Sequence, residues 1–170
     1  MKYYKLSQYN GNMSNIITIP NISEDELGVS QITTKQIDNP KDKEFLNFYE
    51  NPHPIVSQKL KSALEMYVPA AMEVPMPLTN PSLKLVIMYW FLNLDYAENQ
   101  GIVSSAKISN TKSDANEASK ISIKIDGIGE RKIFKTKIGI KDHIIADLDV
   151  VEIILRNSIV DIQFTEIAIA

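Results

Sequence analysis

Cysteine is absent from the 170 residues. That excludes a disulfide framework, any thiolate metal site and every cysteine nucleophile. Histidine is scarce too: His53 and His143 stand far apart and lack the spacing of a helical metal pair, so no bound metal is expected. Glycine occurs six times. Gly127-Ile128-Gly129 lacks the third glycine and following helix of a dinucleotide fingerprint and reads as turn chemistry, so no cofactor is expected. There is no Gly-x-Ser-x-Gly elbow and no phosphate-binding loop, which leaves covalent serine catalysis and nucleotide hydrolysis without support. Long hydrophobic runs are missing as well. The longest, Leu85 to Leu92, has eight residues, whereas a spanning helix needs about 20. The opening Met1-Lys2-Tyr3-Tyr4-Lys5-Leu6 has no apolar signal core. A cytoplasmic protein with no membrane association is therefore expected.

The composition that remains is that of a folded chain, with 44% apolar and 23% charged residues. Its length suits one domain over residues 1–170, burying roughly 70% of the surface the unfolded chain exposes. The net charge of -3 is uneven. Residues 21–54 hold seven acids (Glu24, Asp25, Glu26, Asp38, Asp42, Glu44, Glu50) against Lys35, Lys41 and Lys43, leaving the rest nearly neutral. A nucleic-acid binder needs the opposite, a basic stripe against phosphates, so DNA and RNA are not expected partners.

Tyr3, Tyr4 and Leu6 predict an opening strand, and the β-branched Ile16-Ile17-Thr18-Ile19 a second. Ser23 and Glu26 have capping-box spacing for a short helical turn over residues 24–27. Ser57 predicts the N-cap of a helix to about Tyr67, with Leu60, Ala63, Leu64 and Tyr67 on one face and Pro69 closing it. The prolines at 75, 77 and 81 demand an extended connector or edge strand. Leu83 to Leu94 reads as a central strand buried on both faces, with Trp90 as a packing residue.

Ser104 to Ser119 has no aromatic residue and reads as an exposed, mobile connection. Ile121 to Ile125 alternates as a strand with one wet face, and Asp126-Gly127 predicts a hairpin turn to a partner over Lys132 to Ile140. Asp147 or Asp149 could cap a helix through Leu155, although Val150, Val151, Ile153 and Ile154 fit a strand nearly as well. Val160, Ile162 and Phe164 alternate as the closing strand. The expected fold is α+β: a mainly antiparallel sheet built from Leu83 to Leu94, Ile121 to Ile125, Lys132 to Ile140 and Val160 to Ile167, with two or three short helices packed on it.

Two places could carry function. In the polar stretch 21–54, Phe45, Phe48 and Tyr49 sit at helical spacing among Asp42, Glu44 and Glu50. They read either as aromatic anchors pinning a loop to the core or as a partner-docking surface of aromatics ringed by charge. Asp95 and Glu98 form a carboxylate pair of the kind acid-base hydrolysis uses, but among 21 acids such pairs arise by chance.

The order of elements resembles the immunity-protein family eleven of bacterial polymorphic toxin systems. The similarity is carried by Met1-Lys2-Tyr3-Tyr4, by Pro54-Ile55-Val56-Ser57 leading into Lys59-Leu60, by Met88 to Leu94 followed by Asp95, by Ile133-Phe134-Lys135, and by Ile159 to Phe164 after a helix. Lys135 stands where an arginine is usual, and Asp161 where a glycine is usual. The resemblance implies a small protein that binds and neutralises a cognate toxin by occlusion, without catalysis. Asp42, Glu44, Phe45, Phe48, Tyr49 and Glu50 would then be candidate contacts, and the acidic excess would suit a basic toxin. The alternatives are a small carboxylate-dependent hydrolase and a non-catalytic structural subunit.

Overall fold

A computed structural model describes residues 2–11, 13–23, 34–38, 40–97, 122–123, 128–138 and 141–169. Among the described residues ten strands alternate with two α-helices and three short 3-10 turns. The architecture is mixed α+β with mainly antiparallel pairing, but the strands divide between two five-stranded sheets instead of one.

At the centre of the first sheet lies β1 (Tyr3–Gln8), between β10 (Ile162–Ile169) and β9 (Lys141–Asp147). Its aromatic and aliphatic side chains are split between the two faces, so Tyr3 and Leu6 are both buried, each in a different hydrophobic cluster. β7 (Ser122–Ile123) and β8 (Ile133–Ile138) form the two edges. The predicted hairpin between these two segments is therefore overturned. β8 pairs antiparallel with β9, while β7 pairs parallel with β10 on the opposite edge. Alternation marks both segments as strands, but Lys141–Asp147 follows β8 immediately and forms the shorter closure. The Asp126-Gly127 turn itself lies outside the described residues.

The second sheet runs β2 (Lys35–Gln36), β5 (Pro75–Asn80), β6 (Leu85–Phe91), β4 (Ile55–Ser57), β3 (Phe48–Tyr49). β6 takes the predicted central place. The proline strand β5 pairs with it along its whole length, and among the described residues β2 covers its far side only at Leu78 and Thr79. Among these residues Pro75 and Pro77 thus sit where no neighbour needs an N–H on that edge. The Ile16–Ile19 strand does not form. Ile16 makes an isolated bridge to Glu44, and Ile16, Ile17 and Ile19 are instead buried as side chains against the second sheet. Phe48 and Tyr49 lie in a two-residue strand, not on a helix.

Helix α1 (Gln58–Leu64) starts where predicted: the Ser57 hydroxyl accepts from the Leu60 N–H. It ends one turn early, and Pro69 opens a 3-10 turn over Pro69–Met72. Helix α2 (Leu148–Arg156) settles the alternative at Val150–Leu155. Asp147 caps it by accepting from the Val150 N–H at 3.1 Å, and Val150, Val151 and Ile154 are buried. Burial of that face, on top of the cap, outweighs the weak β-branched penalty. The two helices pack together over a cluster that takes Phe48 and Val56 from the second sheet and Leu6, Ile133, Ile144 and Ala146 from the first. One core therefore spans both sheets. The predicted turn over residues 24–27 and the connection 104–119 lie outside the described residues. Among the described residues no helix is long and apolar enough to cross a membrane.

Candidate functional site

The aromatic segment is the first candidate, and the structure divides it. Phe48 is fully buried between sheet and helices, and Tyr49 is 2% exposed beneath the other face. The Leu46 N–H donates to the Tyr49 hydroxyl at 3.1 Å, the Tyr89 hydroxyl donates to the Leu46 carbonyl at 2.6 Å, and the two tyrosine rings meet edge to face at 5.6 Å. Burial pushes both phenol pKa values up. Phe48 and Tyr49 are thus core anchors with no surface to offer a partner, which corrects the docking expectation for them. Phe45 is half-buried on the second cluster, and Asp42 and Glu44 are exposed. The Glu50 carboxylate is engaged inside the protein, accepting from the Gln8 N–H at 3.3 Å. Glu24, Asp25 and Glu26 lie outside the described residues, so the described part of 21–54 carries four acids against three lysines.

One cleft, about 750 Å³, lies between the end of α1 and the entry to β8, lined in part by Tyr67, Asp95, Glu130, Arg131 and Lys132. Lys132 bridges two carboxylates there, Asp147 at 2.9 Å and Asp149 at 2.5 Å, which holds its ammonium pKa well above the usual lysine value. Asp95 is exposed and fastens β8 through its backbone, its carbonyl accepting from the Lys135 N–H at 2.9 Å. Glu98, its proposed partner, lies outside the described residues.

A second cleft, about 530 Å³, brings together groups that sequence separates. The β1–β9 ladder runs only from Tyr3↔Asp147 to Leu6↔Ile144. Beyond it β1 stays with β10 to Gln8, β9 stays with β8 from Lys141, and the strands part. The loop from Glu50 to Pro54 fills one side of the gap, and His53, His143, Lys5, Lys135, Lys141, Glu50 and Asp142 line it. The histidines thus border one cleft, although among the described residues no group of three or more metal-ligating side chains occurs. Half-burial of His143 pulls its pKa below the usual imidazole value, helped by the Lys5 charge, and its Nδ1 is buried without a hydrogen-bond partner. Burial likewise lowers the Lys135 pKa. Asp142 accepts from the Tyr96 hydroxyl at 2.5 Å, and that bond raises the tyrosine pKa. No local signal marks this cleft, since it arises where two non-neighbouring strands separate.

The third candidate is the face and edge of β6. β4 pairs only with its last part, Tyr89 to Phe91, because the chain turns into α1 after Ser57. Among the described residues Leu85 to Met88 has no strand neighbour on that side. The expectation of burial on both faces fails here. Val86 is 64% exposed and Met88 38%, with Leu83 at 54% in the preceding turn. Farther along, Trp90 is half-covered: its indole N–H donates to Gln58 Oε1 at 2.9 Å, and the Lys61 ammonium lies 4.3 Å over its ring.

Comparison with known proteins adds no relative. No family model, no curated protein and no solved structure matches the chain.

Proposed function

We propose that this protein acts by binding another protein, a bacterial toxin that it neutralises by occlusion and without chemistry of its own. The observation that carries the binding part is the free half of β6. Among the described residues this strand presents an unpaired backbone edge beside the solvent-facing Val86 and Met88, the combination through which a partner adds a strand and seats apolar side chains. A surface of this kind is costly to leave uncovered, because exposed apolar strand edges invite association. The toxin as partner rests on the sequence resemblance, to which the Pro54-to-Leu60 strand-to-helix entry and the Ile133-Phe134-Lys135 strand contribute. Asp42, Glu44 and Phe45 remain available for a peripheral contact; Phe48 and Tyr49 do not.

The test is co-purification with the product of the adjacent gene, followed by the Val86→Lys, Met88→Lys double variant. Stable co-elution that the double variant abolishes, with its own unfolding midpoint unchanged, is expected. Failure of the neighbour to bind, or undiminished binding by the double variant, overturns the reading.

A further inference from the structure

We propose that the cleft where β1 and β9 part is a binding site for a small organic phosphate. Pairing register puts Lys5 and His143 on one face of the sheet and Lys135 and Asp142 on the other. The separation of the strands opens a single gap that both sets border. Three lysines, Lys5, Lys135 and Lys141, line the cleft with two acids, and both carboxylates are already held by neutral donors: Glu50 by the Gln8 N–H, Asp142 by the Tyr96 hydroxyl. Among the described residues none of the three lysines has an ion-pair partner within 4.0 Å. The half-buried Lys135 ammonium feels the Asp142 charge only from beyond ion-pair distance, which leaves its burial costly. An oxyanion in the cleft relieves that cost by charge.

A phosphate fits better than a single carboxylate because it offers more acceptor oxygens and up to two negative charges to a cation-rich site. The volume of about 530 Å³ exceeds what inorganic phosphate fills and lies in the range of small-molecule sites. The phosphate is therefore expected to be carried on a small organic body. This site needs no partner protein and stands apart from the toxin reading.

The experiment compares inorganic phosphate, ribose 5-phosphate and citrate with sodium chloride at matched ionic strength, reading thermal midpoint and the imidazole resonances of His53 and His143. Both phosphates are expected to raise the midpoint above chloride and to shift the imidazole signals, ribose 5-phosphate at the lower concentration. Lys135→Met is expected to weaken ribose 5-phosphate at least tenfold while remaining folded; should it fail to fold, the exposed Lys141→Ala is expected to show a several-fold loss. Responses to phosphates no larger than to chloride, a citrate response equal to theirs, or undiminished binding by the folded variant overturns the proposal.

Discussion

Gln8 and Glu50 hold each other twice. The Gln8 backbone N–H donates to Glu50 Oε2 at 3.3 Å, and the Glu50 backbone N–H donates to Gln8 Oε1 at 3.1 Å. Each side chain thus satisfies the other residue's main chain, which ties the end of the central strand of one sheet to the segment just after β3 of the other. The contact forms where β1 has lost β9 as a neighbour, so the Glu50–Pro54 loop takes a place that a strand would otherwise occupy.

Removing either side chain leaves one partly buried N–H without its acceptor. Gln8→Ala and Glu50→Ala are each expected to cost about 1 kcal/mol of unfolding free energy. A double-mutant cycle by denaturant titration measures the coupling; near-perfect additivity would show that the two bonds do not act as a unit.

Tyr49 tests the core-anchor finding. Tyr49→Ala is expected to destabilise by about 3–5 kcal/mol, the range for truncating a buried aromatic. Tyr49→Phe keeps the ring but leaves the buried Leu46 N–H unsatisfied, at about 1–3 kcal/mol. An alanine variant with an unchanged unfolding midpoint would contradict the burial of this side chain.

Asp147 has two roles, which substitution separates. Asp147→Ala removes both the cap of α2 and the Lys132 pair, and the cap alone is worth about 1–2 kcal/mol. Asp147→Asn keeps an acceptor for the Val150 N–H and loses only the charge, so it is expected to be milder. The Lys132 pKa is raised in the folded state above its ordinary 10.5. Its contribution is therefore fully present below about pH 10.5 and lost as pH rises through the folded value. Urea unfolding from pH 9 to 12 reads this, and Lys132→Met is expected to flatten that limb.

The pH dependence from His143 has the opposite direction. Its folded pKa lies below the ordinary 6.5, so between the two values the unfolded chain binds the extra proton. Stability is present above about pH 6.5 and is lost as pH falls toward the folded value. His143→Asn is expected to shallow the acid limb between pH 6.5 and 5; an unchanged limb would mean that the imidazole protonates as freely as in the unfolded chain.

Asp161 shows how a local pattern misleads. The resemblance leads one to look for glycine there, yet its backbone is not among the positive-φ residues, and the turn after α2 places that conformation at Ser158, φ 54°. The Asp161 carboxylate instead accepts from the Asn47 backbone N–H and from Asn47 Nδ2. A side chain that departs from the pattern thus fastens the second sheet's edge to the start of β10, through a partner 114 residues away in sequence.

Local chemistry was enough for the elements whose signals are local. The Ser57 cap with its apolar face predicted α1, the Tyr3-to-Leu6 and Val160-to-Phe164 patterns predicted β1 and β10, although Val160 lies exposed before β10 begins, and the eight-residue apolar run predicted the central strand of a sheet. Each depends on neighbours within a few residues. Pairing and exposure do not. The turn signal at Asp126-Gly127 led to a strand over Lys132 to Ile140 but not to β9 as its partner, because any strand with a compatible face can satisfy the same hydrogen bonds. Apolar content marked β6 without revealing that Val86 and Met88 face solvent, since that followed from β4 turning into α1 after Ser57. The same holds for Phe48 and Tyr49, whose types suit a core and an interface equally well. The folded neighbours decided between them, and the parting of two strands, together with the Glu50–Pro54 loop in the gap, brought His53 and His143 to one cleft.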